Sequence, residues 1–261
     1  YGVIASRSFQ PDPLMIMLII IGWWAALRWS RQPGWGWVIL AGLAGGFAIF
    51  IKLTAAFFIA GGYVGAVLSR YSLKQALRIP QVWIMAVLTI LPGMAYILYG
   101  VYVADYLRQQ FSGRFFPELW IDPYFYLRWE GKAALVLGHI GISLALLGLL
   151  FLRSRVERIF VIALWIGYAA FGFIFDYHIT SHDYYSLPAI LLVALSLAPL
   201  AALVAEHVGQ VRAAWLARTV TGVAVLGVLA LPVGAARGQM GRSDSRAAAA
   251  LWGVLGEELG P

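Results

Sequence analysis

The chain has no cysteine, so disulfides and thiolate metal sites are excluded, and the redox compartment stays open. It has little charge: Asp, Glu, Lys and Arg make up 12% of its 261 residues, against about a quarter in soluble domains. Acids are scarcest, 12 against 19 Lys and Arg, and there are only four histidines. It has no glycine-rich phosphate loop, no HExxH and no GxSxG. P-loop, zinc-peptidase and serine-hydrolase readings therefore have no motif to rest on. No internal repeat of fixed period is visible.

What is there is apolar. Hydrophobic residues are 62% of the chain, too many to be covered by so few polar groups, so the solvent of this surface must largely be lipid. The net charge of +7 could suggest nucleic acid. The basic residues instead sit singly or in threes between apolar runs, the pattern of membrane flanks, and nucleic acid is excluded as a partner. A helix crosses a bilayer with about 20 apolar residues. Eight segments qualify: 13–29, 35–51, 53–69, 81–103, 132–152, 159–175, 185–204 and 219–236. The run 35–69 is broken only by Lys52. As one helix it would be about 52 Å long, so a hairpin with Lys52 at its tip is expected.

The expected fold class is thus an all-α polytopic membrane protein with about eight transmembrane helices. Residues 1–236 form the membrane region, with an outer loop at 104–131, and 237–261 form a polar outer-side tail. The opening "YGVIAS" reads as the tail of an apolar helix rather than a signal peptide. The expectation is a fragment of a longer polytopic chain, with the tail beginning a truncated C-terminal region. With eight spans one side receives Arg28, Arg31, Arg70, Lys74, Arg78, Arg153, Arg155, Arg158, Arg212 and Arg218 on short connections. That is the cytoplasmic signature. Ten of the 12 acids fall on the other side, so the chemistry-capable groups are expected on the extracytoplasmic face of a cell membrane.

Asp12, between Pro11 and Pro13, suits a helix start at the interface, or a carboxylate held at the outer end of a cavity. Lys52 has no loop around it and is expensive in lipid, so it either snorkels or faces a polar cavity. Its natural partner there is a phosphate. The stretch "DYHITSHDYYSLP" packs Asp176, Tyr177, His178, His182, Asp183, Tyr184 and Tyr185 between two spans. His178 and His182 are four apart, which would suit one helix face and a divalent cation. An interfacial aromatic belt, or a rim for an anionic or sugar ligand, are the alternatives. No metal ligand is assigned. His139 lies inside a span, where a hydrogen bond to a neighbouring helix is expected.

The segments "SRSFQPDPLMIMLIIIGWWAALRW", "GWGWVILAGLAGGFAIFIKLTAAFF" and "HDYYSLPAILLVAL", in this order and spacing, resemble the membrane glycosyltransferases of the GT-C superfamily. The nearest resemblance is to the protein O-mannosyltransferase-like family 39 enzymes and the bacterial aminoarabinose transferases, over roughly residues 5–205. It implies a GT-C-like bundle and transfer of a sugar from a polyprenyl-phosphate donor to a lipid, glycan or protein acceptor on the outer face. Asp12-Pro13 matches an acidic helix start, Lys52 the Lys ending a "G…G…K" helix, and Tyr185 with Pro188 a "Y.LP" helix start near the lipid phosphate. The family's presumed base, an Asp or Glu of a first outer loop, has no counterpart here.

Such a reaction needs a carboxylate for the hydroxyl proton, cations at the leaving phosphate, and carboxylates facing a positively charged sugar ring. The resemblance gives Asp12 the catalytic place. Lys52, Arg7, Arg128, Tyr184 and Tyr185 fall on the lipid-phosphate and donor side. Asp122, His178, His182 and Asp183 form the substrate rim. No cofactor is assigned, and a divalent cation is left open. A lipid-linked sugar polymerase, ligase or flippase, and a solute transporter, are the competing classes.

Overall fold

The structure is a computed structural model. It describes residues 11–107 and 115–210, with 215, 216, 218–223 and 226 beyond them. Residues 9–204 form one compact unit, and 1–8 with 205–261 form a second. The second unit is described only for helical positions after 204. The expected tail 237–261, most of the expected span 219–236, Arg7 and Arg212 lie outside the described residues.

Every regular element among the described residues is helical. Helix α1 is Asp12–Arg31, α2 Trp35–Ile51, α3 Ala55–Arg70, the short α4 Leu73–Ala76, and α5 Pro80–Leu98, whose last turn widens over Tyr99–Val103. Then come α6 Pro123–Leu137, α7 His139–Gly148, α8 Arg155–Ile174, the short α9 Asp176–Ser181, and α10 Ala189–Gln210. Local sequence explains the boundaries. Pro13 in the first turn of α1 needs no N–H partner there. Pro33 and Gly34 follow its basic last turn. Ser154 caps α8 in a reciprocal pair with Glu157.

Contacts fix the helix directions. Asp12 meets Lys52 and Trp24 meets Trp37, so α1 and α2 run antiparallel. The Tyr63 hydroxyl donates to the Ala41 carbonyl and Ile59 faces Gly45, so α2 and α3 form the expected hairpin about Lys52. Pairs Gly42–Leu88 and Phe50–Tyr96 set α5 parallel to α2. Pairs Gly65–Phe160 and Phe57–Phe171 set α8 antiparallel to α3. The indole of Trp165 donates to Ser196, bringing α10 back beside α8.

These contacts are close because small residues make them. Gly42 and Gly46 lie against Leu88 and Pro92 of α5, and Gly61 and Gly65 against Ala163 and Phe160 of α8. Both pairs have the small-xxx-small spacing that lets helix backbones approach within a membrane. The outward faces carry large apolar side chains instead. Leu14, Met17 and Ile20 on α1, and Val87, Ile90 and Leu91 on α5, are exposed. A surface of this kind suits lipid rather than water.

The expected count of eight spans is corrected. Among the described residues, four helices are long and apolar enough to cross a membrane: Asp12–Arg31, Pro80–Val103, Arg155–Ile174 and Ala189–His207. A fifth would be the pair Pro123–Leu137 and His139–Phe151, bent by 94°. The break falls at Gly138, whose φ of 73° terminates α6. Helices α2 and α3, at 17 and 16 residues, are apolar but short of the others. Helical structure also falls within the expected loop 104–131. A turn of 3-10 helix, Pro117–Ile121, precedes α6, which begins at Pro123 well inside it.

Candidate functional site

Helix α2 stops because Lys52 turns extended, with φ −153° and ψ 116°. The chain resumes as α3 at Ala55, whose N–H donates to the Lys52 carbonyl at 2.9 Å. The antiparallel course of α1 and α2 carries the first turn of α1 to this tip. There the Lys52 ammonium donates to Asp12 Oδ1 at 2.7 Å. Asp12 is buried, and the Lys52 side chain keeps 20% exposure. The second oxygen, Asp12 Oδ2, is buried without a hydrogen-bond partner among the described residues.

The other side of the ammonium is aromatic. Residues Asp183–Ser186 form a 3-10 turn. It places Tyr184 and Tyr185 with ring centres 4.6 and 4.9 Å from Lys52 Nζ. Both distances suit attraction between a cation and a ring face. The turn is anchored from behind. Ser186 Oγ and the Tyr168 hydroxyl share a hydrogen bond at 3.0 Å, and Trp129 of α6 donates to that same hydroxyl. His178 packs against Tyr185, and His182 against Tyr184.

The two histidines do not share a helix face. Helix α9 ends at Ser181, and His182 is extended, with φ −130° and ψ 133°. The i, i+4 argument for a shared cation therefore fails. The described residues hold no group of three or more His, Asp or Glu that could hold a metal ion.

Beside the ammonium is a cavity of about 390 Å³. Its wall includes Lys52, Thr54, Tyr96, Phe115, His178 and Tyr185. Phe115 reaches it because Asp176, fully buried at the start of α9, accepts the Phe116 N–H at 2.9 Å and the Tyr177 N–H at 2.7 Å. Asp176 thus ties the segment at Phe115 and Phe116 to the site. In sequence it stood among the polar residues of "DYHITSHDYY" with no sign that it alone turns fully inward.

The remaining candidates divide. Asp183 is half-buried in the tyrosine turn. Asp122 caps α6 by accepting the Tyr124 N–H at 2.9 Å. Arg128 is exposed on α6. His139 pairs with Glu130 across the bend at 2.6 Å, and both are exposed. The structure therefore gathers Asp12, Lys52, Tyr184, Tyr185 and His178 and leaves Arg128 on a surface. The bases Arg28, Arg31, Arg70, Lys74, Arg78, Arg153, Arg155 and Arg158 follow the helix ends to the opposite end of the bundle. The chain matches no protein-family model, no curated protein and no solved structure.

Proposed function

We propose that this chain is part of an integral-membrane glycosyltransferase, one that moves a sugar from a polyprenyl-phosphate donor to an acceptor at the extracytoplasmic face. One observation carries the reading: an ammonium set between a buried carboxylate and two tyrosine rings, on the wall of a cavity. A Lys has three N–H donors, and Asp12 takes one of them. The others serve phosphate oxygens arriving from the cavity side. In the transfer the acceptor oxygen bonds to the sugar C1 as the bond from C1 to the phosphate oxygen breaks. The phosphate leaves with the electron pair, where Lys52 offsets the growing charge. Tyr184 and Tyr185 confine the ammonium. Asp12, buried on Lys52, acts here as a positioning residue. The hydroxyl proton goes to a carboxylate, for which Asp183 and Asp122 stand at the same end.

A solute transporter is the second reading. It is favoured by the 94° break in the pair α6–α7, since broken helices are common in transporters. Membrane vesicles carrying the full-length protein, given polyprenyl-phosphate donors with radiolabelled sugars, separate the two. Label leaves the solvent-extractable donor in the transferase case, and Lys52→Met slows this roughly 10- to 150-fold. Uptake of free labelled sugar without donor cleavage supports the transporter. Donor cleavage no faster than in empty vesicles, across a panel of sugars, overturns the transferase reading.

A further inference from the structure

Between α3 and α5 lies a groove of about 380 Å³, and the short α4 lines its basic end with Leu73, Ala76 and Leu77. Along α3 its wall runs from Ala56 to Leu68, about 18 Å. Ile59, Tyr63 and Met85 form a buried floor, while Val64 and Ile90 are exposed at the rims. The two hydroxyls of the wall are turned to backbone. Tyr63 donates to the Ala41 carbonyl, and Thr89 to the Met85 carbonyl at 2.7 Å. The groove is thus apolar along its length and open sideways, on a chain whose outward surface suits lipid.

Its basic end is charged on one sign only. Arg70, Lys74 and Arg78 are exposed and stand one or two residues from the lining residues Leu68, Leu73 and Leu77. A reciprocal cap between Ser72 and Gln75 fixes the turn that carries them. No acid stands between Asp12 and Asp105 in the chain, so α2, α3, α4 and α5 oppose these bases with no carboxylate. On neighbouring α8, Glu157 is held by its own helix start, accepting the Arg153 N–H at 2.9 Å and the Ser154 N–H at 3.2 Å.

We propose that this groove holds an anionic phospholipid from the leaflet at the basic end, its phosphate among Arg70, Lys74 and Arg78 and one acyl chain between α3 and α5. Basic sites beside membrane helices suit such head groups, and a guanidinium matches phosphate with paired donors. A helix of a second copy or of another protein is a poorer fit. A helix about 10 Å wide and 18 Å long fills roughly 1,400 Å³, several times this groove. An acyl chain is slender enough to lie in it. The inference does not depend on the transferase reading, because no group of the Lys52 site enters it.

The test uses the full-length protein in detergent, with dioleoylphosphatidylglycerol or dioleoylphosphatidylcholine added. Bound lipid is counted by native mass spectrometry, and retention is checked by the thermal melting shift. The expected result is selective retention of one phosphatidylglycerol. Arg70→Gln, Lys74→Gln and Arg78→Gln, all exposed changes, should each weaken it about fivefold, the scale of one basic residue at a lipid surface. Ala86→Phe, on the α5 wall, fills the groove and should weaken it without touching a charge. Arg155→Gln, exposed at the same end but outside the groove, should leave it unchanged. Equal retention of the two lipids overturns the proposal, and so does full retention by Ala86→Phe. An equal loss in Arg155→Gln and the other three would mean diffuse surface attraction and overturns it too. So does a full melting shift from glycerol phosphate, which has no acyl chain. A dimer mass that Ala86→Phe abolishes would give the groove to a second copy instead.

Discussion

Lys52 and Asp12 lie forty residues apart in the chain and 2.7 Å apart in space. Each answers the other's problem. An ammonium at a hairpin tip between apolar helices has no loop to carry it to water, and a carboxylate with 2% exposure has little water of its own. The pair is asymmetric: Asp12 is enclosed, while Lys52 keeps a path to the cavity. The cation therefore faces the cavity while the carboxylate stays enclosed.

This asymmetry makes a stability prediction. Removing one partner of a buried pair leaves the other uncompensated, at about 3–5 kcal/mol, whereas replacing both with apolar residues is often neutral or better. Asp12→Leu is expected to lose about 3 kcal/mol, and Lys52→Met a similar amount, because it strands the more deeply buried carboxylate. The double variant should melt at or above the parent temperature. Thermal unfolding of the purified protein in one detergent checks all three. A double variant that melts as low as the sum of the two losses would mean the pair is not coupled.

The glycine pairs make a second prediction. A side chain at Gly61 or Gly65 would run into the α8 backbone at Ala163 or Phe160, whereas one at Gly36 would meet nothing. Gly61→Leu should destabilise by about 1–3 kcal/mol or more through overpacking. Gly36→Ala, in the first turn of α2, should be neutral or gain a few tenths of a kcal/mol from helix propensity. Unfolding in increasing denaturing detergent ranks the three proteins.

The buried Asp176 makes a third. It accepts the Phe116 N–H, and a hydrogen bond to a charged group contributes about 1.5–3 kcal/mol. In Asp176→Ala the Phe116 amide should exchange with deuterium roughly 10- to 150-fold faster if local opening controls exchange. Amides in the middle of α8 serve as the internal reference. Unchanged exchange at Phe116 would mean the loop is held by its aromatic contacts alone.

Helix α2 was legible to the residue, because Gly34 and Lys52 bound an unbroken apolar run. The hairpin was legible for the same reason, since a straight helix would overshoot the bilayer. The 94° break at Gly138 was not. Hydropathy runs on through "LVLGHIGI", and a positive φ leaves no mark on apolar content. Intramembrane charge singled out Lys52, and the clamp of two prolines singled out Asp12. That one ends on the other needed the packing of α1 against α2, seen in contacts such as Trp24–Trp37 that neither apolar run announces. The histidine spacing misled, because it assumes a helix that stops at Ser181.

The orientation of the bundle supplies the last prediction. One end collects eight Lys and Arg residues on short connections, and the other collects Asp12, Asp122, Asp176 and Asp183. Short basic connections stay cytoplasmic because Lys and Arg resist translocation. The basic end is therefore expected inside and the Lys52 site outside. The chain has no cysteine, so single cysteines report without background. Ser154 is a poor place for one, since its hydroxyl caps α8. Gln32, exposed at the end of α1, is a better reporter of the basic end. Tyr177, 54% exposed on α9, reports the other. In intact cells an impermeant thiol reagent should modify Tyr177→Cys and spare Gln32→Cys, and permeabilised cells should give both. The reverse pattern would place Lys52 on the cytoplasmic side, where an extracytoplasmic transferase could not use it.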